Sequence, residues 1–106
     1  MASIRQQKVS EELRKMAGEF IAANAGRGSL ITPTRVDISP DLKRASIFFT
    51  VLPATQEENA LSFLKRNRSE FRQYLKKIHF KVLPFVDFEI DYGEKNRQVI
   101  DAIDVE

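Results

Sequence analysis

The chain has 106 residues, 42% of them hydrophobic and 30% charged, with a formal net charge of +2 and no cysteine. That length suits one compact domain with its own core, the composition does not point to disorder, and the lack of cysteine excludes a disulfide framework, a thiolate nucleophile and cysteine-based zinc sites. No apolar run is long enough to span a bilayer. Ala23-Asn24-Ala25 has the form of a small-residue cleavage site, but Glu11, Glu12, Arg14, Lys15 and Glu19 interrupt the apolar stretch that a signal peptide needs, so a cytoplasmic protein with no membrane partner is expected.

Ser3-Ile4-Arg5-Gln6 has the Ser-x-x-Gln form of a capping box. Val9, Leu13, Met16 and Phe20 then recur along one face of an amphipathic helix, which Gly26 and Gly28 are expected to end. Thr34 to Ile38 alternates as a strand, and Ser39-Pro40-Asp41 supplies turn chemistry. Ala45, Ile47, Phe49 and Val51 alternate with Ser46, Phe48, Thr50 and Leu52; with apolar groups on both faces, this second strand is expected to be central. Thr55-Gln56-Glu57-Glu58 repeats the capping-box pattern ahead of a helix carrying Ala60, Leu61 and Leu64. Asn67-Arg68-Ser69 breaks that helix, since Asn and Ser compete for backbone hydrogen bonds, and Ser69 can cap a further helix through Lys77. Val86, Phe88 and Ile90 alternate with Asp87, Glu89 and Asp91, a strand with one wet face. Glu94 to Ile103 predicts one more short helix, with Val99, Ile100 and Ile103 on one side. The expected class is α+β, in the order α-β-β-α-α-β around a three-stranded sheet. The core spans about 4–91, with a short segment over 92–106.

Charge is unevenly spread. The stretch from Phe63 to Pro84 holds seven Lys or Arg against a single Glu, whereas the segment after it is acidic. Projected at about 100° per residue, Lys65, Arg68, Arg72 and Lys76 fall in one band about 80° wide, beside an apolar band of Leu64, Phe71, Leu75 and Ile78. A basic face with almost no balancing acid neutralises phosphates and releases counterions, which gives affinity without sequence reading. Backbone N–H groups at a helix start near Ser69 would suit a phosphate oxygen. Tyr74, Phe71 and His79 are the aromatic groups that could stack on bases, with Phe71 placed by its band in the core. His79 is the only histidine and has no nucleophile partner, so it is the one thin argument for an enzyme. Asp87, Glu89 and Asp91 share a strand face, which reads as solvated rather than as a metal site. Gly26-Arg27-Gly28 is too short for a phosphate loop. No enzyme, cofactor or metal is expected.

The element order, with a break between two successive helices, is that of a KH-like domain of the bacterial topology, although Gly-x-x-Gly occurs nowhere. The residues resemble the ribosome-binding factor A family. Val36-Asp37-Ile38-Ser39-Pro40-Asp41-Leu42-Lys43-Arg44-Ala45 looks like that family's Val-x-x-Ser-x-Asp-Leu-x-x-Ala hairpin, continued by Phe49-Thr50-Val51-Leu52. Phe71-Arg72 fits the helix after the kink, and Pro84, Phe88 and Asp91 fit the Pro-x-x-x-Phe-x-x-Asp strand. Asn67-Arg68-Ser69 stands where the family usually has Ala-x-Gly, and the Asp-Pro-Arg segment common after the first helix is missing.

The resemblance implies a non-enzymatic assembly factor, working as a monomer. It would bind 16S rRNA in the immature 30S small subunit, assist late maturation, and leave with help from an assembly GTPase or initiation factors. On that reading Lys65, Arg66, Asn67, Arg68, Ser69, Arg72 and Lys76 are the expected rRNA contacts. Lys77 and Lys81 are secondary, and Arg5 and Lys8 extend the surface. The competing expectation is a KH-like protein–protein adaptor that uses the acidic C-terminal strand and tail.

Overall fold

The computed structural model describes residues 3–26 and 28–93. In chain order the elements are α1 (Ile4–Asn24), β1 (Leu30–Ile38), β2 (Arg44–Leu52), α2 (Glu57–Arg66), α3 (Arg68–Lys77) and β3 (Phe85–Ile90), with a 3-10 turn at Ala54–Gln56 ahead of α2. The order is the expected α-β-β-α-α-β. The sheet runs β1-β2-β3, antiparallel between the first two strands and parallel between the last two. β2 is therefore central, as its two apolar-rich faces required. A parallel pair needs a long crossover, and α2 with α3 supplies it. The helix expected over 94–103 lies outside the described residues.

Both bonds of the capping box form at the start of α1: the Gln6 N–H donates to Ser3 Oγ at 3.1 Å and the Ser3 N–H to Gln6 Oε1 at 2.9 Å. Gln6 also donates from Nε2 to the Ile38 carbonyl at 3.0 Å, which ties the helix start to the end of β1. Val9, Leu13, Ala17, Phe20 and Ile21 are buried. The helix stops at Asn24, before either glycine, with the Ala25 N–H returning to the Ile21 carbonyl.

β1 begins four residues earlier than its alternation suggested. Pro33 faces Phe49 and Arg35 faces Phe48, so Thr34 has no partner opposite and the strand carries a bulge. The extra residue inverts the side-chain alternation: Pro33 is buried before it, Val36 and Ile38 after it. A strand whose parity flips midway shows no continuous period of two, so only its second half was readable.

Thr55 does not cap α2: it lies within the 3-10 turn, and no side chain caps the helix. The break falls at Asn67 alone, with φ −103 and ψ 16. Its side-chain amide donates to the Phe63 carbonyl at 2.7 Å, closing α2, and its own carbonyl accepts from the Phe71 N–H at 2.9 Å, opening α3. Ser69 is therefore inside the first turn of α3 rather than at its cap, because Asn67 already takes that position.

Phe71 is fully buried and meets two other rings edge-on: Phe20 of α1 at 5.2 Å between centroids and Phe88 of β3 at 5.9 Å. Burying such a side chain is worth about 1.5–3 kcal/mol, and each ring pair adds about 0.5–1.5 kcal/mol. Leu64 and Leu75 join the same cluster with Ile47 and Phe49 of β2. Ile78, expected on this apolar band, is instead 42% exposed, because α3 has ended at Lys77.

That ending is a Schellman motif: the Phe80 N–H donates to the Leu75 carbonyl and the His79 N–H to the Lys76 carbonyl, with His79 at φ 57. The position favours glycine, since a Cβ is strained there. His79→Gly is expected to stabilise the fold by up to about 1 kcal/mol, read as a raised thermal midpoint; a lowered midpoint would contradict this account of His79.

Candidate nucleic-acid interface

α2 and α3 each carry acid in the first turn and base in the last: Glu57, Glu58 then Lys65, Arg66 on one, and Glu70 then Lys76, Lys77 on the other. The arrangement complements both helix dipoles. It also gathers the cations at the bend and at the far end of α3.

The basic band is only partly free. Lys65 Nζ lies 2.9 Å and Arg68 Nη1 3.3 Å from the same oxygen of Asp87 on β3. Arg68 Nε also donates to the Lys65 carbonyl at 3.1 Å. Arg72 folds back: Nη2 donates to the Leu83 carbonyl at 3.2 Å, and the guanidinium carbon lies 4.6 Å from the centroid of the Phe85 ring. Its Nε is shielded from solvent and meets no acceptor. Lys81 pairs with Glu12 of α1 at 2.8 Å, so it ties the segment after α3 to the first helix. Asn67 spends its amide on the bend. Arg66, Ser69, Lys76 and Lys77 are exposed and form no ion pair among the described residues, and the same holds for Arg5 and Lys8 on α1. Arg5 and Arg72 line one cleft, so the structure brings those two together across 67 positions of sequence.

Burial pushes the Asp87 carboxyl up, but hydrogen bonds from Lys65 and the Phe88 N–H, with the charges of Lys65 and Arg68, outweigh it and hold the group below its ordinary value. A depressed carboxylate contributes its stability above the unfolded-state value and loses it as pH falls through the folded value. The triad is therefore intact at neutral pH. All three side chains are well exposed, so its contribution to stability is no more than about 1 kcal/mol.

Of the three aromatic groups that could stack on bases, Phe71 and Tyr74 are not free stacking surfaces, while His79 is exposed. Phe71 is core, and Tyr74 packs on Phe20 and Phe71 while its hydroxyl donates to Glu19 at 3.2 Å. His79 holds the end of α3. The acids of β3 do not form one wet face either. Asp91 is 7% exposed, accepts a hydrogen bond from the Thr34 hydroxyl and lies 3.8 Å from Arg35 Nε. The bulge at Thr34 creates that pocket, which alternation along β3 could not show. Among the described residues no group of three or more His, Cys, Asp or Glu side chains could hold a metal ion. Two residues were missed by the helical projection. Asp87 lies 22 positions from Lys65, beyond any local pattern. Phe85 does share the parity of Asp87 and Glu89, and that was the available signal for an aromatic ring on the outward face of β3.

A sequence model described as ribosome-binding factor A matches residues 5–103 of this chain. A protein of that name from Ruegeria sp. (strain TM1040) is 35% identical over 99 residues, covering 84% of this chain and 72% of the relative. Another, from Tropheryma whipplei (strain Twist), is 33% identical over 75 residues; they are 70% of this chain but only 38% of the relative, so the chain spans well under half of that protein's length. Among solved structures, the crystal structure of ribosome-binding factor A from Thermus thermophilus superposes with a TM-score of 0.67 at 22% identity, covering 78% of this chain and 92% of that one. A Thermus thermophilus ribosome binding factor A homology model, fitted into the cryo-electron-microscopy map of a 30S complex, superposes with a TM-score of 0.62 at 24% identity, covering 74% of this chain and 86% of that one. With the family model matching residues 5–103, a relative 35% identical over most of the chain and the fold in agreement, the chain belongs to the ribosome-binding factor A family.

Proposed function

We propose that the protein is a non-enzymatic factor that binds 16S rRNA in the immature 30S subunit and assists its late maturation in the cytoplasm. The observation that carries this reading is the set of cations left free around α2 and α3: Arg66, Lys76 and Lys77 face solvent and form no ion pair among the described residues. Lys65, Arg68 and Arg72 stand between them, held in place by Asp87, Leu83 and Phe85. Asn67 and Ser69 place the bend and the first turn of α3 among these cations, where no side chain caps the helix. Arg5 and Lys8 extend the surface onto α1. A polyanion meeting this face would gain by counterion release. The Thermus relative fitted to a 30S complex supports the small subunit as the target.

A binding factor without a catalytic group changes an rRNA equilibrium only by its differential affinity for two conformations. Departure then requires something that removes that difference, a role suited to an assembly GTPase or to initiation factors. No helix among the described residues is long and apolar enough to cross a membrane. The acidic strand is a weaker docking surface for a basic protein, because Asp87 is engaged by two cations and Asp91 is buried.

Two variants test this reading by co-sedimentation with purified small subunits across a salt series. Arg66→Glu, Lys76→Glu and Lys77→Glu together are expected to abolish binding while the fold persists, since all three side chains are exposed; undiminished binding would move the interface elsewhere. Asp87→Asn releases Lys65 and Arg68 from their shared counter-ion, and is expected to tighten binding; weaker binding by the folded variant would show that Asp87 serves the interface itself.

A further inference from the structure

Phe85 is 68% exposed, yet it is not on a loose segment. It opens β3, its N–H donates to the Lys43 carbonyl at 2.8 Å, and it pairs in register with Arg44 of β2. The sheet therefore fixes where the ring stands. One side of the ring is already covered by the Arg72 guanidinium, itself anchored on the Leu83 carbonyl. Beside it runs a cleft of about 480 Å³ whose lining includes Arg5, Lys43, Arg72, Leu83 and Phe85. The ring also borders a second concavity, on the side of Arg44 and Arg68. Arg5, Lys43 and Arg44 form no ion pair among the described residues. Asp41, the acid of the first cleft, accepts from the Ser39 hydroxyl at 2.6 Å and the Lys43 N–H at 3.1 Å, and its charge acts on Lys43 and Arg44 without a direct ion pair to either.

We infer that Phe85 is a stacking platform for one unpaired base of single-stranded RNA, with Arg5, Lys43 and Arg44 holding the flanking phosphates. The inference rests on the RNA reading above and assigns it a second surface, at the junction of β2, β3 and the hairpin. A rigid, exposed ring backed by a guanidinium and ringed by unpaired cations suits a flat, neutral base joined to anionic phosphates. An acidic peptide would use the cations but has no need of the ring.

The test is equilibrium binding of fluorescent hexa-adenylate and of an abasic ribose-phosphate hexamer with the same charge. Stacking on an aromatic side chain is worth about 1–3 kcal/mol per base, so the intact protein should prefer the hexa-adenylate by about fivefold or more. Phe85→Ala is expected to erase that preference and leave the salt dependence unchanged, and Phe85→Tyr to keep the preference. Arg44→Ala should weaken both ligands alike. A Phe85→Ala protein that retains the preference overturns the inference. So does an equal loss of affinity for hexaglutamate, which would assign the face to an acidic protein partner. If the intact protein binds small subunits but shows no preference for the base-bearing hexamer, this subsite fails alone; if it binds neither, the RNA reading fails with it.

Discussion

Phe71 sits between Phe20 of α1 and Phe88 of β3, and the position of every charged group on α3 follows from that contact. With the ring fully buried, only one rotation of α3 about its axis is available, and its remaining faces must lie along β3 or in solvent. Tyr74, one turn on, packs against Phe20 and stacks on Phe71, which helps to fix the pitch. The single non-helical residue Asn67 then sets how α2 approaches, since its amide closes one helix while its carbonyl opens the next. A basic surface could be built from many sequences. Holding it at a fixed angle to a sheet requires this interior.

The charge on that surface is balanced from within as well as offered outward. Lys65 and Arg68 share one carboxylate, and Arg72 lies on Phe85, so the middle of the band is ordered before any ligand arrives. Side chains already held in place lose less freedom when they meet a phosphate, which favours binding, while the competing Asp87 charge opposes it. The freely solvated cations, Arg66, Lys76 and Lys77, lie at the helix ends, where they also offset the dipoles. The binding role proposed for these groups thus falls on side chains that already serve the fold. On the outward side of the sheet the logic repeats, with Arg72 joining the helix face to the Phe85 ring.

Much of this was legible in the sequence, because the relevant forces are local and periodic. The capping box at Ser3, the buried row along α1, the central place of β2 and the break at Asn67 all follow from residue type and spacing within a few positions. What could not be read depends on contacts across the chain or on competition between equivalent local signals. The Thr34 bulge reversed the alternation of β1 and sank Asp91 into a pocket. Thr55 lost its capping role to a 3-10 turn, and Ser69 lost its own to Asn67 just before it. Of the candidate contacts, the projection grouped Lys65, Arg68, Arg72 and Lys76 on one band, but it could not see Asp87 opposite two of them, nor Glu12 opposite Lys81.

The central claim is that α3 and the bend before it meet RNA on the small subunit. Amide hydrogen exchange of the protein, alone and bound to purified small subunits, tests it most directly. The first-turn N–H groups of α3 have no side-chain cap, so they report contact sensitively. The account predicts slowed exchange on binding at Arg68, Ser69 and Glu70 and along the last turn of α2. Unchanged exchange there, with slowing confined to the solvent face of α1 or to the outer edge of β1, would contradict it.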